Sequence, residues 1–199
     1  VEHDHGPAPA AGLRHRHLAR RSQSADNWHK RLTEETRRAD PAAWNAPTGT
    51  AGMPPFEAQN PDFAAVVAAS FARQGLMHAI GIELVDVTPG PCVLRAVADP
   101  RLTQQQGYFH GALVGAMLDC TGGYAAYSLM PPGSEVLTTE YKVNFIAAAQ
   151  GDRLIARGRV VRPGRTLTVA IAEAFCERDG VESACAIMLS SLIRVPAPR

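Results

Sequence analysis

A chain of 199 residues, 46% apolar and 20% charged, has room for one globular domain with a sizeable core and an extension, at an ordinary soluble composition. Its formal net charge of +1 gives no electrostatic case for nucleic acid or an anionic membrane surface as partner. No apolar run reaches the roughly 18–20 residues of a membrane span, and Cys92, Cys120, Cys176 and Cys185 form neither a C-x-x-C pair nor a zinc spacing, so no metal site is expected and a reduced, cytoplasmic protein is the plain reading.

Residues 1–61 differ from the rest. They carry five of the seven histidines, mixed charges and the stretches "GPAPAAG" and "APTGTAGMPP", which cannot bury enough apolar surface to offset their ordering entropy. A mostly disordered extension is expected, with a short helix in "DNWHKRLTEETRRAD". The histidines lack ligand spacing. Arg20-Arg21 would open an export signal only if an apolar stretch followed, and polar "SQSADNWHKR" follows instead.

Residues 62–199 read as the folded domain. Phe63, Val66, Val67, Phe71, Met77 and Ile80 recur at helical spacing, predicting one amphipathic helix that Gly81 ends. "IELVDV" and "CVLRAVA" then flank the turn residues "TPGP" and read as a hairpin.

"YFHGALVGAMLDCTGGYAAYSL", residues 108–129, is too long for a strand and rich in Ala, Leu and Met, so helix is expected. Glycines 111, 115, 122 and 123 each cost such a helix about 1 kcal/mol relative to alanine. Four of them predict a close approach to its backbone, as a curved sheet would make.

"EVLTTEYKVNFIA", "RLIARGRVV", "RTLTVAIAEAFCE" and "VESACAIMLSSLIRV" follow as four strands. Pro163-Gly164 fits a type II turn, Asp179-Gly180 fits a tight hairpin, and the short connections predict an antiparallel meander. The element order is that of an α+β domain with one antiparallel sheet of about six strands.

Asp119 is the only acidic or basic residue, histidine aside, between Arg101 and Glu135. An ionised carboxylate is costly to bury without partners. It either N-caps a second helix at "CTGGYAAYSL", with Gly115 breaking the first, or serves a functional site. Upstream, the polar loop "LTQQQGYFHG" feeds the helix, leaving the amides of Gly111, Ala112 and Leu113 as first-turn donors able to polarise a carbonyl oxygen. Gly111 and Asp119 fall near one side of the helix but about 12 Å apart along it. One helix cannot present both to one bond, whereas two antiparallel copies across a dimer interface could.

The motifs "QQQGYFHGALVGAMLDCTGGYAA", "LTTEYKVNFIAAAQGDRLIARGRVVRPGRTLTV" and a last strand pair around "ERDG" resemble, over roughly residues 75–195, the PaaI-type hotdog-fold acyl-CoA thioesterases. The resemblance implies a long helix wrapped by an antiparallel sheet, dimers with joined sheets, and often homotetramers. It makes Asp119 the catalytic carboxylate, as general base or nucleophile, and Gly111 the helix-terminal amide that polarises the thioester carbonyl. Gln104 stands where many relatives have Asn, one methylene longer, and Gln105 or Gln106 could take its place. Thr138 matches a residue near the attacking water, or is an ordinary strand residue. His110, in a loop-to-helix role, falls with Ala112 and Thr139 among the residues expected to bind substrate. Arg165 matches a loop near the CoA phosphates, or is a solvated hairpin charge. No cofactor is implied, coenzyme A being part of the substrate. A non-catalytic acyl-CoA-binding module stays as the alternative; a hotdog hydratase is disfavoured, since only His78 and His110 lie in the domain.

Overall fold

The computed structural model describes residues 56–197. The expected short helix and the five N-terminal histidines lie outside them. Described packing begins at Phe56, whose ring takes the space of a side chain at Gly90: a Cβ there would stand 2.7 Å from it. Gln59 Nε2 donates to Leu129 O at 3.1 Å.

The first helical stretch is two helices rather than the single one expected, α1 (Phe63–Phe71) and α2 (Gly75–Ala79). Gln74 leaves the helical conformation (φ −77°, ψ 98°) to become the N-cap residue of α2. Its side chain turns into the fold, where Nε2 donates to Tyr124 Oη at 2.7 Å and Oε1 accepts from the Cys120 thiol at 3.5 Å. Gly81 (φ +67°) ends α2 as expected: its amide donates to His78 O and that of Ile82 to Met77 O, a reciprocal closure that needs a left-handed residue.

β1 (Glu83–Val87) and β2 (Pro91–Val97) form the expected hairpin. Then come α3 (Gly111–Tyr127) and strands β3 (Ser134–Phe145), β4 (Arg153–Arg162), β5 (Leu167–Arg178) and β6 (Val181–Pro196). All pairs are antiparallel, in the order β1-β2-β4-β5-β6-β3. The meander therefore holds for β4–β6 only. β3 lies beyond β6 as an edge strand, and residues 146–152 cross the end of the β5–β6 hairpin, where Ile146 N donates to Cys185 O and Asp152 N to Glu177 O. The hairpin itself turns on Asp179 and Gly180, both at positive φ (52° and 75°). At the β4–β5 turn, Gly164 does not take the positive φ of a type II turn. It is needed instead because a Cβ would collide with Leu167 O.

α3 runs unbroken through Asp119, which excludes the N-cap reading. Its Val114, Met117 and Leu118 are fully buried against the sheet, each such side chain contributing about 1.5–3 kcal/mol of burial. β5 presents Ala170, Ala172 and Ala174 to the helix, a shallow floor that lets it press close. The tightest approach is Gly158 of β4, where a Cβ would lie 2.7 Å from the backbone of Thr121.

Candidate active site

Asp119 lies half-buried in the middle of α3, on the flank toward the edge strand. Thr138 Oγ1 donates to its Oδ1 at 2.7 Å. The structure thus joins two of the residues singled out in the sequence.

A β-bulge sets up this contact. The β3–β6 register runs Thr138↔Leu192, then Glu140↔Ser191, leaving Thr139 as an extra residue. Thr139 Oγ1 donates to Ser191 O at 3.0 Å, so this expected substrate contact spends its hydroxyl on the bulge. Because of the extra residue, Thr138, Tyr141, Val143 and Phe145 pair with Leu192, Ser190, Met188 and Ala186, all buried beneath α3, and so share the helix-facing side.

The second group gathers at the start of α3. His110 is the N-cap residue, with Nδ1 accepting from the Ala112 amide at 3.0 Å. An accepting Nδ1 places the ring proton of the neutral imidazole on Nε2. The amide of Ala112 is thereby occupied, while that of the exposed Gly111 meets no acceptor among the described residues. It points from the positive end of a 17-residue helix. Phe145 walls this end: a Cβ on Gly111 would meet its ring at 3.4 Å. Gln104 belongs to the adjoining loop, its amide donating to Tyr108 O and its carbonyl accepting from Gly107 N. Among the described residues no hydrogen bond ties its side chain to Asp119 or Gly111.

Arg165 is not beside either group. With Arg194, Gln59 and Thr168 it lines a cavity of about 340 Å³ at the far end of α3, next to Ala126 and Leu129. Sequence reasoning missed Arg194, whose distance from Arg165 along the chain hides their convergence.

Other candidates fall away. Burial, and then the neighbouring Asp119 charge, push the Cys120 thiol up to about 11, so it is no nucleophile at neutral pH. Met117 and Phe109 are core side chains, and Tyr124 is tied to Gln74. His78 Nε2 bonds the carbonyl of Ala72 at 2.7 Å. Among the described residues no three His, Cys, Asp or Glu side chains converge as a metal site, and no helix is long and apolar enough to cross a membrane.

The Gly111 amide, without an acceptor among the described residues, and the hydrogen-bonded Asp119 carboxylate thus stand about two turns apart on α3. The family model of the thioesterase superfamily matches residues 106–192, the span holding both. A thioesterase family protein of known crystal structure from Silicibacter pomeroyi is 45% identical, with a TM-score of 0.67 over 68% of this chain and 99% of that one. A Halobacterium salinarum protein named as an esterase is 32% identical over 55% of this chain and 75% of its own length. The 1,4-dihydroxy-2-naphthoyl-CoA hydrolase of Listeria monocytogenes is 26% identical over 48% of this chain and 77% of its own.

Proposed function

The chain belongs to the thioesterase superfamily and has the PaaI-type hotdog fold, and on that premise we propose that it hydrolyses acyl-CoA thioesters to the free acid and CoA. The observation that carries the reading is the Thr138–Asp119 hydrogen bond, which holds a carboxylate in an otherwise apolar helix. The similarity to a naphthoyl-CoA hydrolase supports a CoA thioester as substrate.

The site is assembled from two copies. Gly111 N–H of one donates to the thioester oxygen, and Asp119 of the other takes a proton from water through Oδ2, since Thr138 occupies Oδ1. Water oxygen bonds the carbonyl carbon, the oxyanion is held at the helix terminus, and its collapse breaks the C–S bond. The departing thiolate receives the proton from Asp119. All groups come from protein and substrate. Arg165 and Arg194 hold the CoA phosphates by charge-assisted hydrogen bonds in the cavity they line. The free cysteines suit the reducing cytoplasm where we place the reaction. A hydratase needs a histidine paired with an acid, and both domain histidines bond backbone groups instead.

Subunit mixing tests the assembly. Gly111→Pro deletes the amide at the first helical position, where proline is tolerated, and His110 before it already has the extended conformation proline requires (φ −64°, ψ 136°). Asp119→Asn and Gly111→Pro chains are each expected to be inactive. Unfolded and refolded together, they regain about a quarter of wild-type turnover, because half the dimers are mixed and each holds one intact site. No recovery in mixed dimers would place both groups in one copy.

A further inference from the structure

The cavity at the far end of α3 offers more than charge for phosphates. Gln59 Nε2 is spent on Leu129 O at 3.1 Å, which leaves Oε1 as an acceptor with no partner among the described residues. Thr168 lines the same cavity and is only 5% exposed, yet among the described residues no hydrogen bond engages its hydroxyl. A buried hydroxyl without a partner is costly, so this one points to a ligand. Leu129, Met130, Pro131 and Pro163 supply apolar walls. Arg165 and Arg194 form no ion pair among the described residues. Resting on the acyl-CoA reading above, we propose that this cavity seats the adenine base of CoA, with Gln59 and Thr168 reading it, and that the chain thereby selects CoA over pantetheine borne on a carrier protein.

Adenine presents an amine donor beside a ring nitrogen that accepts. Gln59 Oε1 supplies the acceptor, and the Thr168 hydroxyl, free to rotate, supplies the donor. A flat ring suits walls of proline, leucine and methionine, and a volume of about 340 Å³ lies within the range of small-molecule sites. The two guanidiniums take the phosphates that the nucleotide carries. Pantetheine on a carrier protein brings one phosphodiester and no base, so it leaves Gln59, Thr168 and the apolar walls unfilled.

The seat is preformed. Gly164 packs so closely on the Leu167 carbonyl that a Cβ would collide with it, which fixes the turn carrying Pro163 and Arg165. Arg194 N donates to Thr166 O at 2.9 Å and joins the end of β6 to that turn. The ring of Phe56 beside Gly90 and the Gln59–Leu129 bond pin the wall to which Gln59 belongs. Ala126, also in the cavity wall, follows Asp119 by seven residues, two turns on along the same side of α3 and about 10 Å further. The extended pantetheine arm of CoA exceeds that distance.

The test uses the full chain and a coenzyme whose adenine is deaminated to hypoxanthine, so that a carbonyl replaces the amine and meets Gln59 Oε1, acceptor against acceptor. Calorimetry is expected to show CoA binding about tenfold or more tighter than the deaminated coenzyme. In Gln59→Leu and in Thr168→Val, which leave both arginines in place, CoA binds more weakly and the preference shrinks toward one. Equal affinity for the two coenzymes in the wild type, or binding of neither, overturns the seat, and turnover of an acyl-CoA alongside that result leaves the thioesterase reading standing. A tenfold preference without turnover of any acyl-CoA keeps the seat and overturns the hydrolase. Equal kcat/KM for one acyl group on CoA and on a carrier protein overturns the selection of carrier.

Discussion

The hydroxyl of Thr138 reaches the carboxylate of Asp119 at 2.7 Å because the residue after Thr138 is squeezed out of the ladder. The bulge aims a strand residue at a helix residue, and the Thr139–Ser191 hydrogen bond holds it in place. A carboxylate accepting such a bond keeps one oxygen engaged and the other free for chemistry.

Thr138→Val keeps the β-branched shape and removes the donor. A hydrogen bond to a charged group contributes about 1.5–3 kcal/mol, so kcat is expected to fall roughly tenfold to a hundredfold with KM little changed. Steady-state thiol release measures both constants. An unchanged kcat would make the bond a structural ornament of the sheet.

Gly115 and Gly158 separate two reasons for glycine. A Cβ at Gly158 would strike the Thr121 backbone, so Gly158→Ala is expected to lower stability by about 1–3 kcal/mol in urea unfolding. A Cβ at Gly115 meets nothing within 4 Å in the chain itself, so Gly115→Ala adds helix propensity, up to about 1 kcal/mol. Gly115 sits one turn from both Gly111 and Asp119, where substrate and the second helix converge in the proposed site. Gly115→Ala is therefore expected to lose turnover while its chain stays folded, a combination that circular dichroism and an activity assay reveal together.

Those glycines also show how far the sequence could be read. The expectation that something presses on the helix backbone holds at Gly122, where a Cβ would come within 3.0 Å of Ser190 Oγ, but fails at Gly115, which is open. The tightest contact comes from Gly158 on a strand that gave no such signal. Local patterns carried the long helix, the strands and the Asp179-Gly180 turn, because each depends on residues near in sequence. Strand order does not: that β3 skips past β6 to the edge depends on a crossover no periodicity encodes. The bulge at Thr139 likewise needs the partner strand to be counted, and at the break Gln74 bonds Tyr124, 50 residues away. Asp119 stood out in the sequence by its isolated charge and Thr138 by the family resemblance, whereas their contact, the capping of Ala112 by His110 and the Thr139–Ser191 bond depend on the fold.

Two thiols give the fold a pH signature. Burial first, then the Asp86 charge, raise Cys92 from 9.0 to about 12, and burial raises Cys120 from 9.0 to about 11. Below pH 9 both are protonated in folded and unfolded chains alike, so their contribution is fully present. As pH rises from 9 toward these folded values the unfolded chain gives up protons that the folded chain keeps, and stability falls. The urea midpoint is expected to drop between about pH 9 and 11, and to drop less in Cys92→Ala and Cys120→Ala. Equal slopes in all three proteins would contradict the assignment.

Arg165→Ala tests the far end of α3. If the guanidinium holds CoA phosphates, KM for an acyl-CoA rises about tenfold while kcat holds, as for an interaction equal in ground and transition states. A shorter acyl-pantetheine substrate, lacking the nucleotide, should show no difference between variant and wild type.

The central claim is that the carboxylate of Asp119 performs the chemistry. Its most direct test is free-thiol release from short, medium, long and aromatic acyl-CoAs by the wild-type chain and by Asp119→Asn, which keeps the shape and the Thr138 contact but cannot accept the proton. The wild type is expected to turn over at least one acyl class and the variant to lose about a thousandfold or more, with substrate still bound. Full turnover by Asp119→Asn would contradict it.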